Sequence, residues 1–175
     1  QRTDFSTMAC SIARAWSVIG EPWTPLILRD LSLGFSRFDD LQADLGIARS
    51  ILTDRLKTLE RAGVVSKQQY PSTNRTRHEY VLTKTGEELV PIIVAVAQWG
   101  DRWLDDGTGP PIAFGHSCGA TLQAEVVCSD CGQPLTADSV TVAAGPGRRI
   151  GPGTHRADLL PEAPDRASEQ GVGSL

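Results

Sequence analysis

Two groups of residues carry chemistry. The first is His116, Cys118, Cys128 and Cys131, with Gly119 and Gly132 directly behind the second and fourth of them. Zinc takes four nitrogen and sulfur ligands in a tetrahedron, and structural sites commonly present them as paired knuckles. Cys128-Ser129-Asp130-Cys131-Gly132 has the spacing of one such knuckle, and Cys118-Gly119 resembles half of another. His116 completes the set if its segment is extended, because residues i and i+2 share a strand face. One structural zinc per chain is therefore expected, with Asp130 and His155 as reserve candidates for the fourth ligand. The same residues also fit a metal-free β-hairpin with free thiols, or a Cys128–Cys131 disulfide. A thiol oxidoreductase is a remote alternative. The pair lacks a preceding strand and a following helix, and no His/Asp/Glu constellation accompanies it, so no enzyme is expected.

The second group is basic and polar. Between Ala48 and His78 stand Arg49, Arg55, Lys57, Arg61, Lys67, Arg75 and Arg77 against Asp54 and Glu60, a local charge of +5 inside a chain of net charge -4. Concentrated positive charge on one surface is the footprint of a phosphate binder. On a helix whose inner face is fixed by Leu52, Leu56 and Leu59, the opposite face presents Arg49, Ser50, Thr53 and Lys57. These types reach base edges and phosphates. The polar stretch Ser72 to Arg77 adds Asn74, Arg75 and Arg77, suited to the DNA backbone or the minor groove. Arg55 and Arg61 read instead as partners of Asp54, Glu60 or neighbouring carboxylates on a solvated face.

The elements that must hold these residues follow from the apolar periodicity. Helices are expected over Cys10 to Ile19, from Pro22 to Leu33, over Arg37 to Asp44 with Ser36 as N-cap, and over roughly Ala48 to Ala62 with Gly63 closing it. Leu45-Gly46-Ile47 makes a tight turn. Val64 to Tyr70 and His78 to Leu82 read as a hairpin, and Thr83 caps a last long helix to about Leu104. Two short helices joined by a Gly-containing turn, followed by a hairpin, is the order of a winged helix-turn-helix. The fold class expected is thus mainly α with a β-hairpin wing, plus a small C-terminal β/zinc-ribbon-like module.

The 175 residues are divided accordingly: 8–106 for DNA binding and dimerisation, 107–111 as a Gly/Pro linker, 112–144 for the Cys/His module with β-like runs at Glu125 to Val127 and Ser139 to Val142, and 145–175 as a tail. Six Gly and four Pro in that tail, with few large apolar residues, predict disorder. The longest apolar run, Leu89 to Ala97, contains Pro91 and is about half the ~20 residues that span a bilayer, so no membrane helix is expected. The N-terminus lacks the pattern of a signal peptide, and four cysteines then fit a reducing cytoplasm.

The chain resembles the HxlR-type transcriptional regulators, relatives of the MarR regulators. The resemblance rests on Cys10-Ser11-Ile12-Ala13-Arg14, Ile19-Gly20-Glu21-Pro22-Trp23-Thr24, Leu26-Ile27-Leu28-Arg29-Asp30, Arg37-Phe38-Asp39-Asp40-Leu41, Leu45-Gly46-Ile47-Ala48, Leu52-Thr53-Asp54-Arg55-Leu56, Leu59-Glu60, Gly63-Val64-Val65, Glu79 to Gly86 and Trp99-Gly100-Asp101-Arg102-Trp103. Pro25 and His78 depart from it, each standing where the family more often has an aliphatic residue. The resemblance implies a homodimer, built by the terminal helices, on a pseudo-palindromic operator in double-stranded DNA, with repression as the expected outcome. In part of the family a cysteine at the position of Cys10 senses oxidants or electrophiles. A helix N-terminus and Arg14 could lower its thiol pKa, and the plainer reading is a small buried residue in the dimer core. A ligand- or redox-responsive sensor switched through Cys10, or through a pocket lined by Trp16, Trp23, Trp99 and Trp103, is the alternative.

Overall fold

The computed structural model describes residues 5, 8–70, 77–147 and 161. They fall into two compact units, one within 18–126 and one formed from described residues before 18 and after 126. The helices are α1 (Ser11–Ile19), α2 (Thr24–Ser32), α3 (Phe38–Leu45), α4 (Arg49–Arg61), α5 (Lys84–Glu87) and α6 (Val90–Trp103). Between α4 and α5 run β1 (Val65–Tyr70) and β2 (Arg77–Leu82), antiparallel, with Val65 opposite Leu82 and Tyr70 opposite Arg77.

The core of the 18–126 unit gathers one apolar stripe from each element. Ile27, Leu28 and Leu31 of α2, Leu41 of α3, and Leu52, Leu56 and Leu59 of α4 are buried together with Ile47, Val64 and Val65. The 3.6-residue period of α4 brings its three leucines onto one face and leaves Arg49, Ser50, Asp54, Lys57, Glu60 and Arg61 exposed. The turn between α3 and α4 is made by Gly46 at φ +61°, a left-handed position that glycine occupies without steric cost.

The wing is tied to the helical core at both ends. The Tyr80 N–H donates to the Ser36 carbonyl at 2.7 Å, and Arg37 bridges to Glu79, so the segment before α3 lies along β2. Ser36 was expected to cap α3, but its hydroxyl turns to Glu79 instead, at 3.2 Å, and Arg37 holds the cap position without a side-chain bond. At the far end the Thr83 hydroxyl donates to the Gly63 carbonyl at 2.6 Å and accepts from the Gly86 N–H at 3.2 Å.

Two helix expectations need adjustment. The single helix expected from Thr83 to Leu104 is interrupted. The short α5 ends at Glu87, and Pro91 opens α6, where a missing N–H is harmless. Gly86 is buried so tightly that a Cβ there would lie 2.2 Å from the Val64 carbonyl oxygen. α2 begins at Thr24 rather than Pro22, with Pro25 in its first turn.

Asp30 is a buried charge in α2. Arg29 binds it at 2.7 Å through Nε and reaches Asp44 of α3 at 3.1 Å through Nη2. Desolvation outweighs that partner and pushes the Asp30 carboxyl above its ordinary value.

Beyond α6 the carboxamide of Gln98 holds the following segment to that helix. Gln98 donates to the Leu122 carbonyl at 2.6 Å and accepts from the Ala124 N–H at 2.7 Å, pairing with extended backbone as a neighbouring strand would. The β-like runs at 125–127 and 139–142 form no strand among the described residues. Pairing there is limited to the isolated bridges Gly115–Thr121 and Val127–Pro134. Of the expected disordered tail, residues 148–160 and 162–175 lie outside the described residues.

Candidate nucleic-acid interface

The outward face of α4 begins with Arg49. Its guanidinium lies 4.5 Å over the ring of Phe38, and its Nη1 is 3.5 Å from Oδ1 of Asp39. Ser50 and Lys57 are exposed, and Thr53 is half-buried with its hydroxyl donating to the Arg49 carbonyl at 2.8 Å. Ser50, Thr53 and Lys57 lie beside the buried stripe of Leu52, Leu56 and Leu59, whereas Arg49, expected on the opposite face, stands at the open N-terminal end of that stripe, seven residues before Leu56. Arg77, at the start of β2, is exposed; Asn74 and Arg75 lie outside the described residues.

The expected residues do not stand alone. A cleft of about 510 Å³ runs between the start of α3, the start of α4 and the hairpin. It collects Arg37, Arg49, Lys67 and Arg77 around Tyr70 and Thr53, with Asp39 and Asp40 on one wall. Arg37 is steadied over the Tyr70 ring at 5.0 Å, a cation–π geometry. Arg37, Lys67 and Tyr70 were not among the site residues read from sequence. Lys67 contributed to the charge count, but a strand's facing is not legible from composition. Arg37 read as the first residue of a helix and not as a cleft wall.

Arg55 points elsewhere. Its Nη1 lies 3.4 Å from Oε2 of Glu21, and its side chain is only 17% exposed, so it ties α4 to the segment before α2. Arg61 donates from Nε to the Lys57 carbonyl at 3.1 Å, within its own helix.

The Cys/His residues occupy two tight turns, each in a different unit. In the first, the His116 N–H donates to the Ala120 carbonyl and the Gly119 N–H to the His116 carbonyl, both at 2.9 Å, while His116 Nδ1 accepts from the Cys118 N–H at 3.3 Å. In the second, the Cys128 N–H donates to the Gln133 carbonyl at 2.9 Å and the Gly132 N–H to the Cys128 carbonyl at 2.8 Å. Gly119 and Gly132 close these turns at φ +89° and +72°. The backbone N–H groups of Cys131 and Asp130, with the Cys131 thiol, hold the Cys128 thiol below its ordinary value. Among the described residues, no three or more His, Cys, Asp or Glu side chains are grouped as a metal site. Cys10 is half-buried and immediately precedes α1.

The outward face of α6 is apolar. Ile92, Val96, Trp99 and Trp103 are each more than half exposed and follow one helical stripe. Part of this stripe and the segment 122–126 flank a groove of about 740 Å³. Of the four tryptophans proposed for a pocket, Trp99 lines this groove, while Trp23 packs against the core.

A helix pair joined by a glycine turn, with its second helix exposing a cationic face beside a two-stranded wing, defines a winged helix-turn-helix DNA-binding protein. The chain belongs to the HxlR-like helix-turn-helix family, whose family model matches residues 18–108. It is 42% identical over 138 residues to the uncharacterised HTH-type transcriptional regulator Rv3095 of Mycobacterium tuberculosis, covering 78% of this chain and 87% of that one. Among solved structures it is similar to PA1607, a candidate transcription factor. The TM-score is 0.71 at 32% identity, over 82% of this chain and all of that one. It is also similar to the redox regulator HypR in its reduced form, with TM-score 0.51 and 28% identity, over 55% of this chain and 95% of that one. The protein is a DNA-binding transcriptional regulator. No helix among the described residues is long and apolar enough to cross a membrane.

Proposed function

We propose that this regulator acts as a homodimeric repressor on a pseudo-palindromic operator, reading the major groove with Arg49, Ser50, Thr53 and Lys57 and gripping the adjacent backbone with Asn74, Arg75 and Arg77. The observation that carries the reading is the convergence of four cationic side chains on the cleft between α4 and the hairpin. A single winged helix rarely makes enough phosphate contacts for specific binding, and the exposed apolar stripe of α6 offers a second copy a surface to cover. DNA binding measured by fluorescence anisotropy across a salt series tests it. Log K falls with log salt, and Arg77→Ala weakens binding to operator and random duplex alike, with a slope shallower by about 0.9 per site for one lost phosphate contact. An unchanged slope in Arg77→Ala would remove that residue from the interface.

Zinc remains a proposal resting on ligand type and spacing, supported by the N–H groups that the second turn directs at Cys128. When bound, zinc would cross-link the segment and supply no reaction. A second reading, a redox-responsive switch at Cys10, is favoured by the likeness to HypR. Elemental analysis and thiol titration of the reduced protein address both. The expected result is about one zinc per chain, lost in Cys131→Ser. Metal-free protein with all thiols titrating would contradict the zinc site. Oxidant-sensitive DNA binding in the wild type that disappears in Cys10→Ser would establish the switch, and sensitivity that persists would exclude it.

A further inference from the structure

The start of α4 holds a guanidinium that has protein partners before any DNA arrives. Arg49 is the first residue of the helix, the place from which winged-helix recognition residues reach base edges. Its Cζ lies 4.5 Å from the centre of the Phe38 ring, and Nη1 faces Asp39 Oδ1 at 3.5 Å. Both partners come from the first turn of α3, whose position is set by Leu41 in the core and by the Gly46 turn. One face and one corner of the fork are therefore occupied. The Nε–Nη2 edge is left without a partner among the described residues. A planar two-donor edge matches the O6 and N7 acceptors of guanine, and the wrong base at such a contact is disfavoured by its unmet acceptor pattern.

Free, an arginine on an exposed helix end would spread over many rotamers and lose that freedom on binding. Phe38 and Asp39 remove part of that cost in advance by favouring one placement of the guanidinium. The Asp39 carboxylate also makes the site less hospitable to a phosphate, which carries charge of the same sign. Stacking and a single carboxylate thus turn Arg49 from a general anion binder into a reader of a base edge. We infer that Arg49 specifies a guanine in each half-site and that Asp39 and Phe38 are the residues that position it. This rests on the DNA-binding reading and adds the identity of one base and two positioning residues.

Selection of bound sequences from a random duplex library, repeated with Arg49→Ala, Asp39→Asn and Phe38→Leu, tests the assignment. The wild type is expected to enrich a guanine at one position per half-site, with substitution there weakening binding at least about tenfold. Arg49→Ala abolishes the preference at that position and leaves the others. Asp39→Asn relaxes it several-fold while affinity for random duplex stays level or rises, because a negative charge has left the interface. Asp39 is exposed, so this variant keeps the fold, and Phe38→Leu removes the stacking surface independently. Uniform weakening in Arg49→Ala with the base preference intact would make Arg49 a phosphate contact and overturn the inference. A guanine preference unchanged in both Asp39→Asn and Phe38→Leu would remove the positioning role. Sequence-specific binding by a wild type with no such guanine would defeat this inference alone, whereas absence of any DNA binding would defeat the underlying reading as well.

Discussion

Replacing Val96 and Trp99 together by glutamate is expected to yield a folded monomer whose operator affinity is lower by about 10²–10⁴-fold. The two positions lie on the exposed stripe of α6, one turn apart, while the helix keeps its own hold on the core through Ile93. Carboxylates in that stripe cost little in a monomer, where water reaches them. They cost much if a second copy must cover them, because an unpaired buried charge is strongly destabilising. The affinity loss follows from the geometry of two linked half-sites. Once one recognition helix is seated, the second binds as if at high local concentration, and a monomer forfeits that gain. Analytical ultracentrifugation gives the mass and anisotropy gives the affinity. A double variant that stays dimeric would move the interface off α6. A monomer with undiminished operator affinity would remove the dimer from the mechanism.

The second large effect is on stability. Leu56→Ala is expected to cost about 2–5 kcal/mol, since it empties a fully enclosed site in the middle of α4. Leu56 is 1% exposed and packs in the cluster that includes Leu52, Leu59 and Ile27. Its loss also frees the face that presents Arg49 and Lys57 from its fixed angle, so specific binding falls more steeply than the folded fraction alone predicts. Equilibrium urea denaturation measures the first effect. A cost under about 1 kcal/mol would mean that α4 is not anchored as the core packing indicates.

The helix-turn-helix and the wing were legible because local rules determine them. Leu52, Leu56 and Leu59 repeat with the helical period and are buried, Gly46 occupies the left-handed turn, and the hairpin runs at Val65–Tyr70 and Arg77–Leu82, within a residue of the expected bounds. What escaped the sequence is tertiary pairing. Asp39 and Phe38 meet Arg49 across a turn, Glu21 meets Arg55 from before α2, and Arg37 meets Tyr70 across the hairpin. Nothing in spacing or composition selects one carboxylate or ring among several. The interruption before α6 was half legible. Pro91 signals a helix start, but the tight approach of Gly86 to Val64 depends on how β1 and α5 pack. The runs at 125–127 and 139–142 have β propensity without a ladder partner, and a lone strand has nothing to satisfy its backbone.

The central claim is that paired α4 helices read DNA at a fixed separation. Sequencing of duplexes selected from a random library by the wild-type protein tests it most directly. Expected is an inverted repeat whose half-site centres lie about 10–10.5 base pairs, or a multiple of that, apart, as two recognition helices on one face of the duplex require. Recovery of unenriched sequence, or of a single half-site with no partner at any fixed spacing, would contradict it.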